Sequence, residues 1–406
     1  MIKISNFFLI SFIFMVVFLS QIGMHSGVTP IFAGIGVIVF VTTNIAILII
    51  NHKIIKIPYI PRIFRVLFYG LIIFSIISYF NTGRPKGIIV YGALISLFFT
   101  ARILSLYIKD KEQFLLDLVF GSCLAGIVII LLGIDGSFSF YRYKGFYTNA
   151  NSLGMFAASL LHMLIGVLYA YGKIKYGRIK KFVFYATFFL CLMLLLASNS
   201  RAATLSVLLI VLLIPIIELY KALQIRKFKI KTIFFKRFIF FFLIISLSSA
   251  AIYYLGLFDN IFEKFVSKTN MGDVSDGRLE SWKIMIKNWS WFGHENSWFK
   301  LQKLITIPKK SIVFGHNTWL SHLNYYGLLN FLFFISWIIF MILWAWNNIK
   351  IDTGNRTTIV FFFVMIGYVI NATFETATST PGLFISISIF GIIYSNKTFS
   401  KKKKEQ

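Results

Sequence analysis

Acidic residues are scarce in this chain. Its 406 residues include 14 Asp and Glu against 41 Lys and Arg, for a formal net charge of +27. Such an excess of positive charge is typical of proteins that bind nucleic acid. Here, however, the cations lie in short clusters between long apolar runs, as the positive-inside rule describes for cytoplasmic loops. The sequence therefore predicts contact with membrane lipids and no nucleic-acid partner.

Cysteine is almost absent. Cys123 and Cys191 both fall inside apolar runs, so the sequence predicts no disulfide framework. The chain also lacks a phosphate-binding loop, a dinucleotide fingerprint, a zinc motif and a serine-hydrolase elbow. These absences argue against an ATP-driven pump, and we expect neither a cofactor nor a metal.

Apolar residues are abundant, at 58% of the chain. Runs long enough to cross about 30 Å of hydrocarbon recur from end to end, and they are continuous rather than alternating, which favours helices over a barrel. The sequence predicts an all-α, polytopic transmembrane bundle of about 12 spans, forming a single integral membrane domain over residues 1–406. The spans are expected near 6–22, 28–50, 63–80, 87–107, 114–133, 151–171, 182–198, 202–220, 238–257, 318–346, 358–374 and 380–395.

The distribution of Lys and Arg also predicts the orientation. Most cations fall in alternate loops and in the tail 401–404, so both termini are expected in the cytoplasm. One long loop, near 257–316, then lies outside the cell and is expected to contain short helices. Within it, Asp276 can cap a helix in which Arg278, Trp282, Met285 and Trp289 share a face. This helix either rests at the membrane interface or forms a lid that directs Arg278 at an anionic ligand.

Three helix starts are expected at the outer surface, where the partial positive charge of a helix N-terminus suits phosphate. One is the segment 198–204, with Arg201 in the first turn. A cation there opposes the helix dipole, so Arg201 either extends to the interface or binds an anion, for which a bidentate phosphate is well suited.

The other two starts carry further polar side chains. One of these starts, the span predicted at 151–171, has four polar residues at or just before it: Arg142, Lys144, Asn149 and Asn151. The two asparagines are either cap residues or donors to sugar and phosphate oxygens. His316 and Asn317 begin the next. His316 beside Asn317 is either a cap or hydrogen-bond spacer, or a base that accepts a hydroxyl proton. Glu375 lies between the last two spans. A carboxylate near hydrocarbon is energetically costly, so Glu375 is expected to pair with Arg201 or Arg278 or to orient His316. If Glu375 lies in the headgroup region, this energetic cost largely disappears.

The order of these motifs resembles the O-antigen polymerase and O-antigen ligase family of bacterial envelope enzymes. The likeness covers roughly residues 140–390, and one difference is Trp291-Phe292-Gly293, where family members often have a proline before the glycine. The motifs that carry it are Gly145-Phe146 with Asn149-Ala150-Asn151, Ser198-Asn199-Ser200-Arg201, Asp276-Gly277-Arg278 with Trp282 and Gly293, Gly315-His316-Asn317-Thr318-Trp319-Leu320, and Tyr326-Gly327-Leu328-Leu329.

The resemblance implies an inverting, metal-independent glycosyl transfer on the outer face of the bacterial cytoplasmic membrane. The donor would be an oligosaccharide on undecaprenyl diphosphate. Arg201 and Arg278 would bind the diphosphate, His316 would activate the acceptor hydroxyl, and Glu375 would orient or tune His316. Arg142, Lys144, Asn149, Asn151, Asn317 and Trp282 would contact the substrate.

The predicted activity is therefore that of a polymerase joining repeat units of O-antigen, capsule or exopolysaccharide. A protein that regulates chain length is a possible further partner. Two alternatives stay open. One is a ligase that moves a finished glycan to lipid A core or another acceptor. The other is a transporter of lipid-linked oligosaccharide, although a transporter favours polar residues at the membrane midplane, and here they gather at the outer boundary.

Overall fold

The part of the chain that the computed structural model describes is mostly helical and contains no strand. This confirms the predicted all-α class. The described residues are 6–22, 35–39, 42, 60–83, 85–106, 110–133, 143–147, 149–172, 177–225, 278–295, 317–351, 355–375 and 381–394.

The helices follow the apolar runs closely. Outside the short helical stretch 35–39, they are α1 (Asn6–Ile22), α2 (Arg62–Thr82), α3 (Lys86–Ser105), α4 (Lys111–Leu132), α5 (Ala150–Tyr171), α6 (Arg178–Ser198), α7 (Arg201–Ile225), α8 (Arg278–Lys287), α9 (Thr318–Tyr326), α10 (Leu328–Ile351), α11 (Arg356–Phe374) and α12 (Pro381–Ile393).

Eight of these helices, α2 to α7, α10 and α11, are long and apolar enough to cross a membrane. The protein is therefore a multi-pass membrane protein. The predicted span at 238–257 lies outside the described residues, as do most of the span at 28–50 and most of the loop 257–316. The total of about 12 spans stays a prediction.

The predicted span 318–346 is wrong as a single helix. The helix is interrupted at Gly327, whose φ of 88° lies in the left-handed region. A Cβ at this position would overlap the carbonyl oxygen of Trp291, so the tight approach of the segment 290–294 requires glycine here. The result is a short helix, α9, followed by a membrane-length helix, α10.

The helices differ in how much of their surface is buried. The most apolar window of α5 is 89% buried and that of α11 is 72% buried, whereas the windows of α2, α7 and α10 are each 39% buried. All 13 residues of α12 are buried. The centre of the bundle is thus formed by α5, α11 and α12, and α2, α7 and α10 leave apolar faces for lipid.

One end of the bundle carries ion pairs between helix starts. Arg356 at the start of α11 is 3.3 Å from Glu112 of α4, and Lys180 of α6 is 2.8 Å from the buried carboxylate of Asp117. Arg102 donates a hydrogen bond to the last carbonyl groups of α12. We call this the basic end. The start of α5 and the ends of α6 and α11 lie at the opposite end.

Candidate functional site

The segment 143–147 fixes the start of α5 at the end opposite the basic end. The Tyr143 N–H donates to the carbonyl of Ala197 at 3.0 Å, and its hydroxyl donates to the carbonyl of Gly133 at 2.6 Å. The Tyr147 hydroxyl donates to Gln21 Oε1 at 3.1 Å. Burial raises the pKa of Tyr147 well above its usual value, so this phenol stays a neutral donor. Three helices, α1, α4 and α6, thereby position this turn.

The two predicted asparagines have different roles. Asn149 is the N-cap of α5, and its side chain accepts from the Asn151 N–H at 3.0 Å. Asn151 points elsewhere: its Nδ2 donates to Glu375 Oε1 at 2.8 Å, across 224 positions of sequence. The cap interpretation therefore applies to Asn149, whereas Asn151 joins α5 to the end of α11. Lys144 is exposed in the preceding turn, and Arg142 lies outside the described residues.

Glu375 ends α11 and is only 4% exposed. Its own carbonyl accepts from the Thr318 hydroxyl at 2.8 Å, at the start of α9. A buried carboxylate needs charge-assisted donors to offset the loss of water, and Asn151 supplies one of them. The sequence predicts Arg201, Arg278 or His316 as partners of Glu375, and it does not predict Asn151.

Asn317 and its neighbours tie α9 to α11. Asn317 is the N-cap of α9, where its Oδ1 accepts from the Leu320 N–H at 2.9 Å, and its Nδ2 donates to the carbonyl of Thr373 at 2.8 Å. The Trp319 Nε1–H donates to the Thr373 hydroxyl at 3.1 Å. The chain segment that directly follows His316 is therefore attached to the last turn of α11. His316 itself lies outside the described residues.

The turn that carries Arg201 packs against the first turns of α5. Asn199 closes α6 with a left-handed φ of 50°, a conformation that Asn adopts more readily than most residues. Ser200 then lies so close to Gly154 that a Cβ there would overlap the serine side chain. Arg201 follows as the exposed first residue of α7. The start of α7 thus lies beside the same stretch of α5 that holds Asn151.

Helix α8 begins at Arg278, whose side chain lies outside the described part of the structure. Met285 is buried, Trp282 is half-buried, and the Asn324 Nδ2 donates to the Met285 carbonyl at 3.0 Å, which docks α8 on α9. The predicted helical face is wrong at its last position, because α8 ends at Lys287. Trp289 lies beyond the helix, exposed, and packs edge-on against Trp291 with ring centroids 5.1 Å apart.

The segment after α8 is held to the bundle by backbone contacts. The Leu328 N–H donates to the carbonyl of Ser290 at 2.8 Å, and the His294 N–H donates to the carbonyl of Asn324 at 2.9 Å. Asn81, in the last turn of α2, donates to the carbonyl of Gly293 at 3.1 Å. Helix α8 and its tryptophans therefore lie level with the end of α2 and the start of α10.

The structure thus brings Asn151, Asn317 and Glu375 together, and the turn that precedes Arg201 packs against Gly154, three residues after Asn151 in α5. Sequence reasoning missed Thr318 and Thr373 as the residues that join α9 to α11. Thr318 directly follows Asn317, which the sequence had singled out, whereas nothing in the sequence around Thr373 distinguishes that residue. No group of three or more metal-ligating side chains occurs among the described residues.

The chain was also compared with known proteins. No family model matches it, and no curated protein matches it either.

Proposed function

We propose that this protein is a membrane polysaccharide polymerase that joins undecaprenyl-diphosphate-linked repeat units on the outer face of the bacterial cytoplasmic membrane. One observation carries the proposal. Glu375 is buried: its carboxylate accepts from Asn151, its backbone carbonyl accepts from Thr318 at the start of α9, and the turn that leads into Arg201 packs against Gly154, three residues after Asn151. In this proposal the site faces the outside, because the basic end is the opposite end of the bundle.

The start of α7 suits the diphosphate leaving group. The Thr204 N–H donates to the carbonyl of Ser200, so residues 201–203 form the first turn of α7, where the helix dipole is positive. Helix dipole and guanidinium both favour negative charge here. Because the charge on the leaving diphosphate grows as the glycosidic bond breaks, Arg201 stabilises the transition state more than the ground state. Arg278 serves as the second cation in this proposal.

The acceptor hydroxyl is activated by His316 in this proposal. In the proposed step, the hydroxyl oxygen attacks the anomeric carbon, the bond from that carbon to the diphosphate oxygen breaks, and the hydroxyl proton passes to His316. Undecaprenyl diphosphate leaves with the bonding electron pair, and the anomeric configuration inverts. Asn317 follows His316 in the sequence and is bound to the last turn of α11, which supports the role of Glu375 in orienting this base.

The proposal is tested in a host strain from which the gene has been deleted. Single repeat units should accumulate on the carrier, and the wild-type gene should restore long polymer. Arg201→Ala, His316→Ala and Glu375→Gln should each abolish polymer while the protein remains in the membrane. Arg201→Lys should also lose most activity, because an ammonium group cannot donate two parallel hydrogen bonds.

Arg178→Ala is the matched control. Arg178 is the exposed first residue of α6, as Arg201 is of α7, but it lies at the basic end. Polymer should be normal in this variant. Accumulation of full-length carrier-linked polymer in the deletion strain would refute the polymerase in favour of a ligase. Translocation of lipid-linked sugar by the purified protein in liposomes, without bond formation, would refute the enzyme altogether.

A further inference from the structure

Asn371 is a buried amide in the last turns of α11. It is 1% exposed, and neither its Nδ2 nor its Oδ1 has a hydrogen-bond partner among the described residues. Its backbone carbonyl accepts the Glu375 N–H at 2.9 Å, so it lies one helical turn from the carboxylate of the candidate site. An amide buried without partners costs about 1–3 kcal/mol in proteins, so a group at this position should have something to bind.

The neighbours of Asn371 show which way it faces. Four residues earlier, Gly367 lies so close to the imidazole of His162 in α5 that a Cβ would overlap the ring. Four residues later, Glu375 accepts from Asn151 of α5. Residues four apart lie on one face of a helix, so Asn371 is on the face of α11 that packs against α5. It lies one helical turn from the Asn151–Glu375 pair, towards the start of α11.

Ser200 provides a second observation at the same place. Its hydroxyl oxygen is buried and also lacks a partner among the described residues, and it lies 3.0 Å from where a Cβ of Gly154 would be. Gly154 is three residues after Asn151, in the first turns of α5. Two unpartnered polar groups, from α7 and from α11, therefore border the same stretch of α5.

The chemistry of these groups indicates the class of ligand. Ser200 and Asn371 are neutral, and the charged group nearest to Asn371 along α11 is the carboxylate of Glu375, one helical turn away, which disfavours an anion at this amide. An amide that offers both a donor and an acceptor matches two adjacent groups of opposite kind, such as neighbouring sugar hydroxyls or an acetamido group. Ser200 directly precedes the cationic start of α7, which suits the diphosphate, whereas the amide of Asn371 suits the uncharged part of the substrate.

We infer that Asn371 is a specificity residue that binds the uncharged acceptor sugar next to Glu375, through both the Nδ2 and the Oδ1 of its amide. This inference rests on the proposed glycosyl transfer. It adds a contact that distinguishes the acceptor sugar from the donor diphosphate, at a residue that the sequence motifs do not contain.

Asn371→Leu removes the donor and the acceptor at almost constant volume. The purified variant is placed in liposomes with carrier-linked repeat units from the deletion strain as donor. The varied acceptor is the same oligosaccharide, released from its carrier. The KM for this acceptor should rise about tenfold, the effect of losing about 1.4 kcal/mol of hydrogen bonding, while the KM for the donor stays unchanged. Asn371→Asp keeps an acceptor oxygen but adds a like charge near Glu375, so it should be at least as impaired.

Asn330→Leu is the control. Asn330 is equally buried, but its Nδ2 donates to Ser75 Oγ at 2.7 Å between α10 and α2. This variant should lose thermal stability and keep the acceptor KM. Asn371→Leu should not lose stability, because the Asn371 amide makes no hydrogen bond to the described residues that the substitution would remove. An unchanged acceptor KM, or a loss of stability like that of Asn330→Leu, would overturn the inference alone. No glycosidic bond formed by the wild-type protein would overturn the proposed function as well.

Discussion

The hydrogen bond between Asn151 and Glu375 gives the sharpest test of the site. Its 2.8 Å length joins an amide N–H to a carboxylate that is 4% exposed, and hydrogen bonds to charged groups contribute about 1.5–3 kcal/mol. Asn151→Ala removes the donor and leaves the carboxylate in place, so we expect a loss of stability in that range.

Asn151→Asp should be worse than alanine. It places a second carboxylate against the first, and two unit charges about 4 Å apart repel by about 4 kcal/mol at an effective dielectric constant of 20, before solvent screening of the half-buried residue 151. Combining Asn151→Asp with Glu375→Gln reverses the polarity of the bond, because the amide introduced at position 375 can donate to the carboxylate introduced at position 151. Stability should then return close to that of the wild type.

The assay is the thermal midpoint of the detergent-solubilised protein, measured by the fraction that stays monodisperse after heating. Polymer formation in the deletion strain is measured in parallel. If Glu375 acts in the reaction, the double variant should recover the midpoint but not the polymer, because the carboxylate now stands on α5. Recovery of both would mean that the pair is only structural. An Asn151→Ala midpoint equal to that of the wild type would refute the hydrogen bond itself.

Three further predictions concern the scaffold. Gly327→Ala should lower the thermal midpoint and expose the segment 288–295 to protease, whereas Gly92→Ala, where an added methyl meets only ordinary contacts, should not. Arg102→Gln should cost about 1.5–3 kcal/mol, measured by the same midpoint, because it removes a cation from the end of α12, and Arg102→Lys should recover part of this. Lys180→Met should leave the buried carboxylate of Asp117 without its cation and lower the midpoint more than the double variant with Asp117→Asn.

Most of the helices could be predicted from the sequence, because a membrane requires continuous apolar runs of a fixed minimum length. The first span, expected at 6–22, coincides with α1, and that expected at 358–374 differs from α11 by two residues at its start. The break at Gly327 was missed, since an isolated glycine in an apolar run is compatible with a continuous helix. Glycine is required at position 327 because the carbonyl oxygen of Trp291, 36 positions earlier in the chain, leaves no room for a Cβ. The local sequence does not reveal this contact.

The candidate site could be predicted only in part. Helix starts at one membrane surface identify Asn151, Asn317 and Arg201, because capping residues and charge are local signals. The pairing of Asn151 with Glu375 could not be predicted, since it depends on α5 packing beside α11. Hydropathy likewise cannot separate α12, buried on every side, from α2, which faces outwards, because lipid and protein interior are similarly apolar.

The position of α12 affects how the bundle can be assembled during synthesis. This helix packs against α1, α3, α5 and α11, and Arg102 of α3 binds its last carbonyl groups. Because α12 follows these four helices in the chain, the ribosome synthesises it after them, although all of its residues are buried. The contacts of α1, α3, α5 and α11 with α12 can therefore form only after these four helices have been synthesised.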